Sequence, residues 1–177
     1  HRLVLVDSRV KHELKDSPYN KRRESCERVA KRLGIATLRD ADMEALNAVK
    51  SDITAEDYMR AKYVIEEKER VLAVCDALQR GDYDTVGRKM YETHEGLSHD
   101  YEVSCEELDT LVDIARENGV TGSRIMGGGF GGCTINLVPD ELHDKFIANA
   151  VSAFKARYGH EPKVYDVIIS DGARKVE

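Results

Sequence analysis

The chain has no tryptophan, and its aromatic residues are mostly tyrosine. Its four cysteines, Cys26, Cys75, Cys105 and Cys133, are far apart and form no C-x-x-C pair. That spacing excludes a zinc ribbon or a disulfide frame and predicts buried free thiols of a cytosolic protein. No apolar run approaches the length of a membrane span, and no secretory signal is expected at the start. The net charge of −6 argues against a general nucleic-acid binder. There is no internal repeat, no low-complexity tract, and no linker long enough to split the 177 residues. Apolar residues make up 41% and charged residues 34%, ordinary values that predict one compact domain with a sizeable core.

Glycine is concentrated in one place. Met126-Gly127-Gly128-Gly129-Phe130-Gly131-Gly132-Cys133 holds five of the 13 glycines. Glycine costs conformational entropy and packs nothing, so such a cluster points to positive φ or to close approach of another group. Successive exposed N–H groups in such a turn make an anion cradle suited to phosphate. The string also matches G-x-G-x-x-G, a weak signal by itself. A dinucleotide fingerprint needs a helix after the loop. Here Cys133 to Val138 alternates apolar and polar like a half-buried strand, and Pro139 closes it. No V-A-I-K strand and no G-K-[ST] follow. Strand, glycine turn, strand remains, with a ligand-free hairpin as the plain alternative.

Three motifs in order give the chain a family resemblance. The glycine string resembles the third motif of the GHMP small-molecule kinases, in wording closest to the galactokinases. Ser17 to Glu27 resembles their S-x-Y-x-x-R-R-x-x-C-E segment, and Asp100 to Leu111 their D-Y-E-V-S-x-x-E-L-D-x-L run. The likeness runs from about Leu3 to the C-terminus and covers only the C-terminal half of such an enzyme. It implies a GHMP kinase C-terminal domain over 1–177, a piece of a longer chain. It also implies transfer of phosphate from ATP to the 1-hydroxyl of galactose, with Mg²⁺, in the cytoplasm. The nucleotide loop, the G-E-H-T-D-Y sugar signature and the catalytic aspartate belong to the N-terminal half, and none is found here. The resemblance therefore gives this chain one wall of the cleft. Gly127, Gly128, Gly129, Phe130, Gly131 and Gly132 face the phosphates, Tyr19 contacts the sugar, and Lys11 stands near the transferred phosphate. The implied partners are galactose, ATP and the chain's own N-terminal domain; no metal ligand and no catalytic group are expected here. A non-catalytic sugar-binding regulator, a kinase for another sugar such as N-acetylgalactosamine, and a partner-binding module remain as alternatives. Taken without the family, Lys11 reads as a solvated loop lysine and Tyr19 as an ordinary amphipathic tyrosine. Pro18 stands where the family often has glutamate.

The remaining elements follow from periodicity. Arg2–Asp7 reads as a strand. A helix opens at Ser17-Pro18, with Cys26, Val29, Ala30 and Leu33 inward and a stop at Gly34. Cations at Lys21-Arg22-Arg23 oppose its dipole and call for a nearby anion, a distant carboxylate, or local pairing of Arg23 with Glu27. A short helix is expected over 38–49. A long one is expected over 54–79, with Ala61, Ile65, Leu72, Cys75 and Leu78 as its core stripe. Another is expected over 84–99. His94 and His99, five apart, lack metal spacing. Ser104-x-x-Glu107 reads as a capping box. A helix over 140–158 and a strand over 164–170 complete an α+β, βαββαβ ferredoxin-like plan, an antiparallel sheet with helices on one face.

Overall fold

The computed structural model describes residues 1–11 and 18–173. Four strands, β1 (Arg2–Asp7), β2 (Gly122–Ile125), β3 (Cys133–Val138) and β4 (Lys163–Val167), form one sheet in the order β2-β3-β1-β4. Every neighbouring pair is antiparallel. Between β1 and β2 lie α1 (Pro18–Leu33), α2 (Met43–Ala48), α3 (Ala55–Gln79), α4 (Tyr83–Glu95) and α5 (Glu106–Glu117). One helix, α6 (His143–Tyr158), joins β3 to β4.

The sheet's period of two divides its residues between two covers. Val4, Val6 and Val138 face α5 and α6, where Leu111, Ile114, Phe146, Ala150 and Phe154 complete the main core. Phe146 and Phe154 are almost fully buried, each contributing about 1.5–3 kcal/mol. Leu3, Ile135 and Leu137 face the other way, onto Ala77 of α3 and Val86 and Met90 of α4. Helices therefore cover both faces, not the single face expected. The two-sided cover also changes the reading of β3. Its alternation suggested one wet side, yet Thr134 and Asn136 are fully buried. Asn136 Nδ2 donates to the Val4 carbonyl at 3.0 Å, so the polar side chain is used inside.

The helix ends follow local chemistry, with three departures. Thr54 caps α3 by accepting from the Asp57 N–H at 3.0 Å, as its spacing predicts. The expected Ser17 cap of α1 lies outside the described residues. Cys105, not Ser104, occupies the N-cap of α5, because the Ser104 hydroxyl is taken by Asp109. The 84–99 pattern breaks at Glu95 and passes into a turn of π-helix, Gly96–Asp100. The 38–49 pattern splits into a 3₁₀ turn, Leu38–Asp40, and the short α2.

The α3 stripe holds only in its first half. Ala61 and Ile65 are buried against Val29, Ala30 and Leu46. Leu72, Cys75 and Leu78 are exposed, because among the described residues no element packs over them. Cys75 is thus not a buried thiol, and Cys26, Cys105 and Cys133 are only partly covered. The last strand ends at Val167, short of the expected Ser170.

Candidate functional site

Three chain segments meet at one end of the sheet: 8–10 after β1, 101–104 before α5, and the glycine turn between β2 and β3. The turn is fastened at both ends and in its middle. Met126 N–H donates to the Cys133 carbonyl at 2.9 Å, closing the hairpin. Phe130 N–H donates to the Val103 carbonyl at 2.6 Å, and Gly132 N–H to the Val10 carbonyl at 3.3 Å. In return, Ser8 binds the Gly132 carbonyl through its N–H at 2.9 Å and its hydroxyl at 2.8 Å.

Among the described residues, three non-glycine residues have positive φ: Arg9 (61°), Glu102 (52°) and Phe130 (61°). Each of the three segments holds one of them. Such conformations cost free energy and cluster where a site is held in a fixed shape. The contacts that hold them are visible. Arg9 N–H binds Asp7 Oδ1 at 2.8 Å. The buried Arg22 reaches from α1 to the Tyr101 carbonyl through Nε at 2.9 Å and to the Glu102 carbonyl through Nη2 at 2.6 Å. Its guanidinium also lies over the Phe130 ring, 5.5 Å from the centroid. Burial, with help from the nearby Arg60, draws the Arg22 pKa below the usual arginine range. The cations of α1 thus divide their roles. Arg23 pairs locally with Glu27 at 2.8 Å, while Arg22 serves distant carbonyls and stands 3.7 Å from the Glu102 carboxylate.

Tyr19 opens α1 on the same assembly. It is 44% exposed, and its ring meets the edge of Tyr101 at 6.4 Å between centroids. Tyr101 is buried with Tyr63 and Val103, and Phe130 packs against that group. Burial, then the neighbouring Cys26, pushes the Tyr101 pKa up. Lys11 is exposed and directly follows Val10, whose carbonyl holds Gly132. The structure therefore joins Tyr19 to the glycine turn through Tyr101 and Phe130, and joins Lys11 to it through the backbone.

A second anchor fixes the 96–104 segment from behind. Asp109 of α5 accepts from Ser104 and from Ser98, the latter at 3.2 Å. His94 Nε2 stands 3.2 Å from the same carboxylate. Burial raises the Asp109 pKa, but the bonds from His94 and the serines outweigh it and hold it below the usual carboxylate range. Sequence reasoning missed this node, together with Val10, Arg22, Glu102 and Val103. The only trace of them was the D-Y-E-V-S wording and the misplaced cations of α1.

The glycines of the turn are not equivalent. A Cβ on Gly129 would stand 2.1 Å from the Val103 carbonyl oxygen, and one on Gly131 2.6 Å from that of Val10. At Gly127, Gly128 and Gly132 there is open space. Among the described residues, the N–H groups of Gly127, Gly128, Gly129 and Gly131 make no hydrogen bond. Gly127 and Gly128 are exposed. The turn is a rigid loop with uncommitted donors, which can receive an anion at low reorganisation cost. Among the described residues no cluster of three or more His, Cys, Asp or Glu could hold a metal ion.

Residues 74–157 match the family model described as GHMP kinases C terminal. The chain is 41% identical, over 99% of its length, to the galactokinase of Thermotoga petrophila, and covers 49% of that protein. The chain is thus similar to the C-terminal part of GHMP kinases. It is also 41% identical to the human galactokinase over 97% of the chain, covering 43% of that protein. The crystal structure of Lactococcus lactis galactokinase complexed with galactose superposes with a TM-score of 0.90 at 30% identity. That match covers 99% of this chain and 47% of the Lactococcus chain. The chain thus spans about half the length of the curated relatives it matches. Within the GHMP kinase frame, the observed architecture is α+β, a four-stranded antiparallel sheet with several helices. No helix among the described residues is long and apolar enough to cross a membrane.

Proposed function

We propose that the chain is the C-terminal half of a galactokinase, which moves the γ-phosphoryl group of ATP to the 1-hydroxyl of galactose. The observation that carries this reading is the glycine turn. Its backbone is locked to Val10 and Val103, and the amides of the exposed Gly127 and Gly128 have no hydrogen-bond partner among the described residues. Phosphoryl transfer needs positioning and charge neutralisation more than covalent chemistry. A rigid row of N–H donors suits that task. The sugar is assigned by likeness to the galactokinases of Thermotoga petrophila and human, and to the Lactococcus enzyme complexed with galactose.

In this reading Gly127, Gly128, Gly129, Phe130, Gly131 and Gly132 form the phosphate-side wall. Arg22 and Val103 keep its shape. Tyr19 presents its ring and hydroxyl to the sugar, and Lys11 supports the phosphate side. Mg²⁺ accompanies ATP and is held by groups outside this chain's described residues. The proton-abstracting group belongs to the other half of the enzyme. Residues 1–177 act as one C-terminal domain of ferredoxin-like βαββαβ type, which the β2-β3-β1-β4 antiparallel order supports. Cytoplasmic location follows from the same family reading.

The test is turnover. The two-domain protein, given ATP, Mg²⁺ and galactose, forms galactose 1-phosphate, and the 177-residue chain alone forms none. Product from N-acetylgalactosamine but not galactose would move the sugar assignment. Binding of both ligands without turnover would make the protein a regulator.

A further inference from the structure

The segment that joins α4 to α5 folds back on itself. After Glu95 the chain passes through the π-helical turn Gly96–Asp100, a rare form that recurs at functional sites. Tyr101 N–H then donates to the Gly96 carbonyl at 2.8 Å, and Val103 N–H to the Leu97 carbonyl at 2.9 Å. Between those two bonds stands Glu102, in the left-handed region. A non-glycine residue keeps that conformation only where its surroundings over-determine it. Arg22 supplies one hold from α1, through the Tyr101 and Glu102 carbonyls.

Asp109 supplies the other hold, from α5. Its Oδ1 accepts from Ser104 and faces His94 Nε2 at 3.2 Å, and its Oδ2 accepts from Ser98 at 3.2 Å. One carboxylate thus joins the end of α4, the π-helical turn and the residue that follows Val103. Three donors converge on it, which suits an ionised Asp, because that group only accepts. His94 is buried, and its Nδ1 has no hydrogen-bond partner among the described residues, so the contact with Asp109 is the polar tie that orients its ring. Together these ties fix the place of one carbonyl. Val103 is buried, and its oxygen receives the Phe130 N–H at 2.6 Å and crowds the position that a Cβ of Gly129 would take.

We infer that Asp109 is a positioning residue for the glycine turn: through Ser98 and Ser104 it sets the Val103 carbonyl on which Gly129 and Phe130 rest. Its consequence for ATP rests on the phosphate-wall reading. A turn displaced by about 1 Å misaligns its donors, and misplacement on that scale costs up to about 10²-fold in rate. Asp109 therefore controls the use of ATP from α5, outside the turn itself.

Amide hydrogen exchange and steady-state kinetics are measured on the two-domain protein as wild type, Asp109→Ala, Asp109→Asn and Ser104→Ala. In Asp109→Ala the Phe130 N–H exchanges at least about tenfold faster, as local opening requires, while the amides of β1 and β3 keep their protection. In the same variant kcat/KM for ATP falls at least about tenfold, and KM for galactose changes less than about twofold. Asp109→Asn keeps the shape and one accepting oxygen and recovers part of the loss. Ser104→Ala removes one bond and no charge, shifts both readings the same way by less, and carries the test if Asp109→Ala does not fold. A merely structural role would speed exchange across the sheet and lower activity toward both substrates alike. That outcome, or wild-type protection of Phe130 in all three variants, overturns the inference whatever the activity. If Phe130 exchanges faster but ATP kinetics hold, Gly129→Val decides. Normal ATP kinetics there too sink the phosphate-wall reading and leave Asp109 as the residue that positions the turn; lost ATP kinetics there overturn the inference.

Discussion

The Phe130 N–H donates to the Val103 carbonyl at 2.6 Å, with Phe130 in the left-handed region at φ 61°. That bond brings the turn flush against Val103 and sorts its five glycines. Gly129 and Gly131 are glycine because backbone carbonyls occupy the place of a Cβ. Gly127 and Gly132 have open space but positive φ. Gly128 has open space and no positive φ, so the fold makes no demand on it.

The sorting predicts opposite outcomes for neighbouring substitutions. Gly129→Ala forces a Cβ to 2.1 Å from the Val103 oxygen. It loses roughly 1–3 kcal/mol from backbone strain alone, and the clash adds to this. Gly129→Val in the two-domain enzyme abolishes most of kcat/KM for ATP. Gly128→Ala leaves stability within about 0.5 kcal/mol yet lowers kcat/KM for ATP, because a methyl group enters the proposed phosphate approach. Urea denaturation and ATP kinetics on these variants check both halves of the prediction.

Arg22 is the buried tie between α1 and the 101–103 segment. Arg22→Met leaves the carbonyls of Tyr101 and Glu102 without their donor and lowers stability by roughly 2–4 kcal/mol. Arg22→Lys retains the charge but cannot reach two carbonyls as a planar fork does, so it recovers only part of that loss. A change in the urea midpoint at constant slope would report it. Two variants as stable as the wild-type chain would contradict the tie.

Tyr19→Phe removes one hydroxyl and little volume. In the two-domain enzyme it weakens galactose kinetics by about 0.5–1.5 kcal/mol, the net value of a neutral hydrogen bond, and spares ATP. Equal losses on both substrates would assign Tyr19 to packing on Tyr101.

His143 gives a pH prediction at the other end of the sheet. Its ring nitrogens stand 2.8 Å from Asp144 and 2.7 Å from Asp166 of β4. These bonds raise its pKa above the usual histidine value, Asp144 first. A raised folded-state pKa means stability fully present below the unfolded value of about 6.5 and lost as pH rises through the folded one. Thermal stability therefore falls over that window above neutrality's acid side, and His143→Gln removes the slope. An unchanged slope in the variant would place the dependence elsewhere.

Residues such as Val29, Ala30, Leu108 and Phe146 were legible from helical spacing, because their faces meet a partner in the fold. Leu72 and Leu78 have the same spacing and are bare. Periodicity gives the apolar face of a helix, and only tertiary structure gives what lies on it. Thr134 and Asn136 escaped because alternation assumes one wet face, while β3 is central and covered on both. Ser104 was read as a cap since nothing in its spacing reveals Asp109 as the competing acceptor. In the site, the glycine cluster stood out in sequence, and Tyr19 only through the family resemblance. Arg22 showed only as one of the cations opposing the α1 dipole, and Val10 and Val103 act through backbone carbonyls, which leave no local pattern.

The most direct test of the phosphate-wall assignment is amide NMR of the two-domain protein titrated with ATP and Mg²⁺. The Gly127 and Gly128 resonances shift with nucleotide, more than those of Gly119 and Gly159, glycines at helix ends that share the positive φ of Gly127. A protein that phosphorylates galactose while Gly127 and Gly128 stay unmoved would contradict the account.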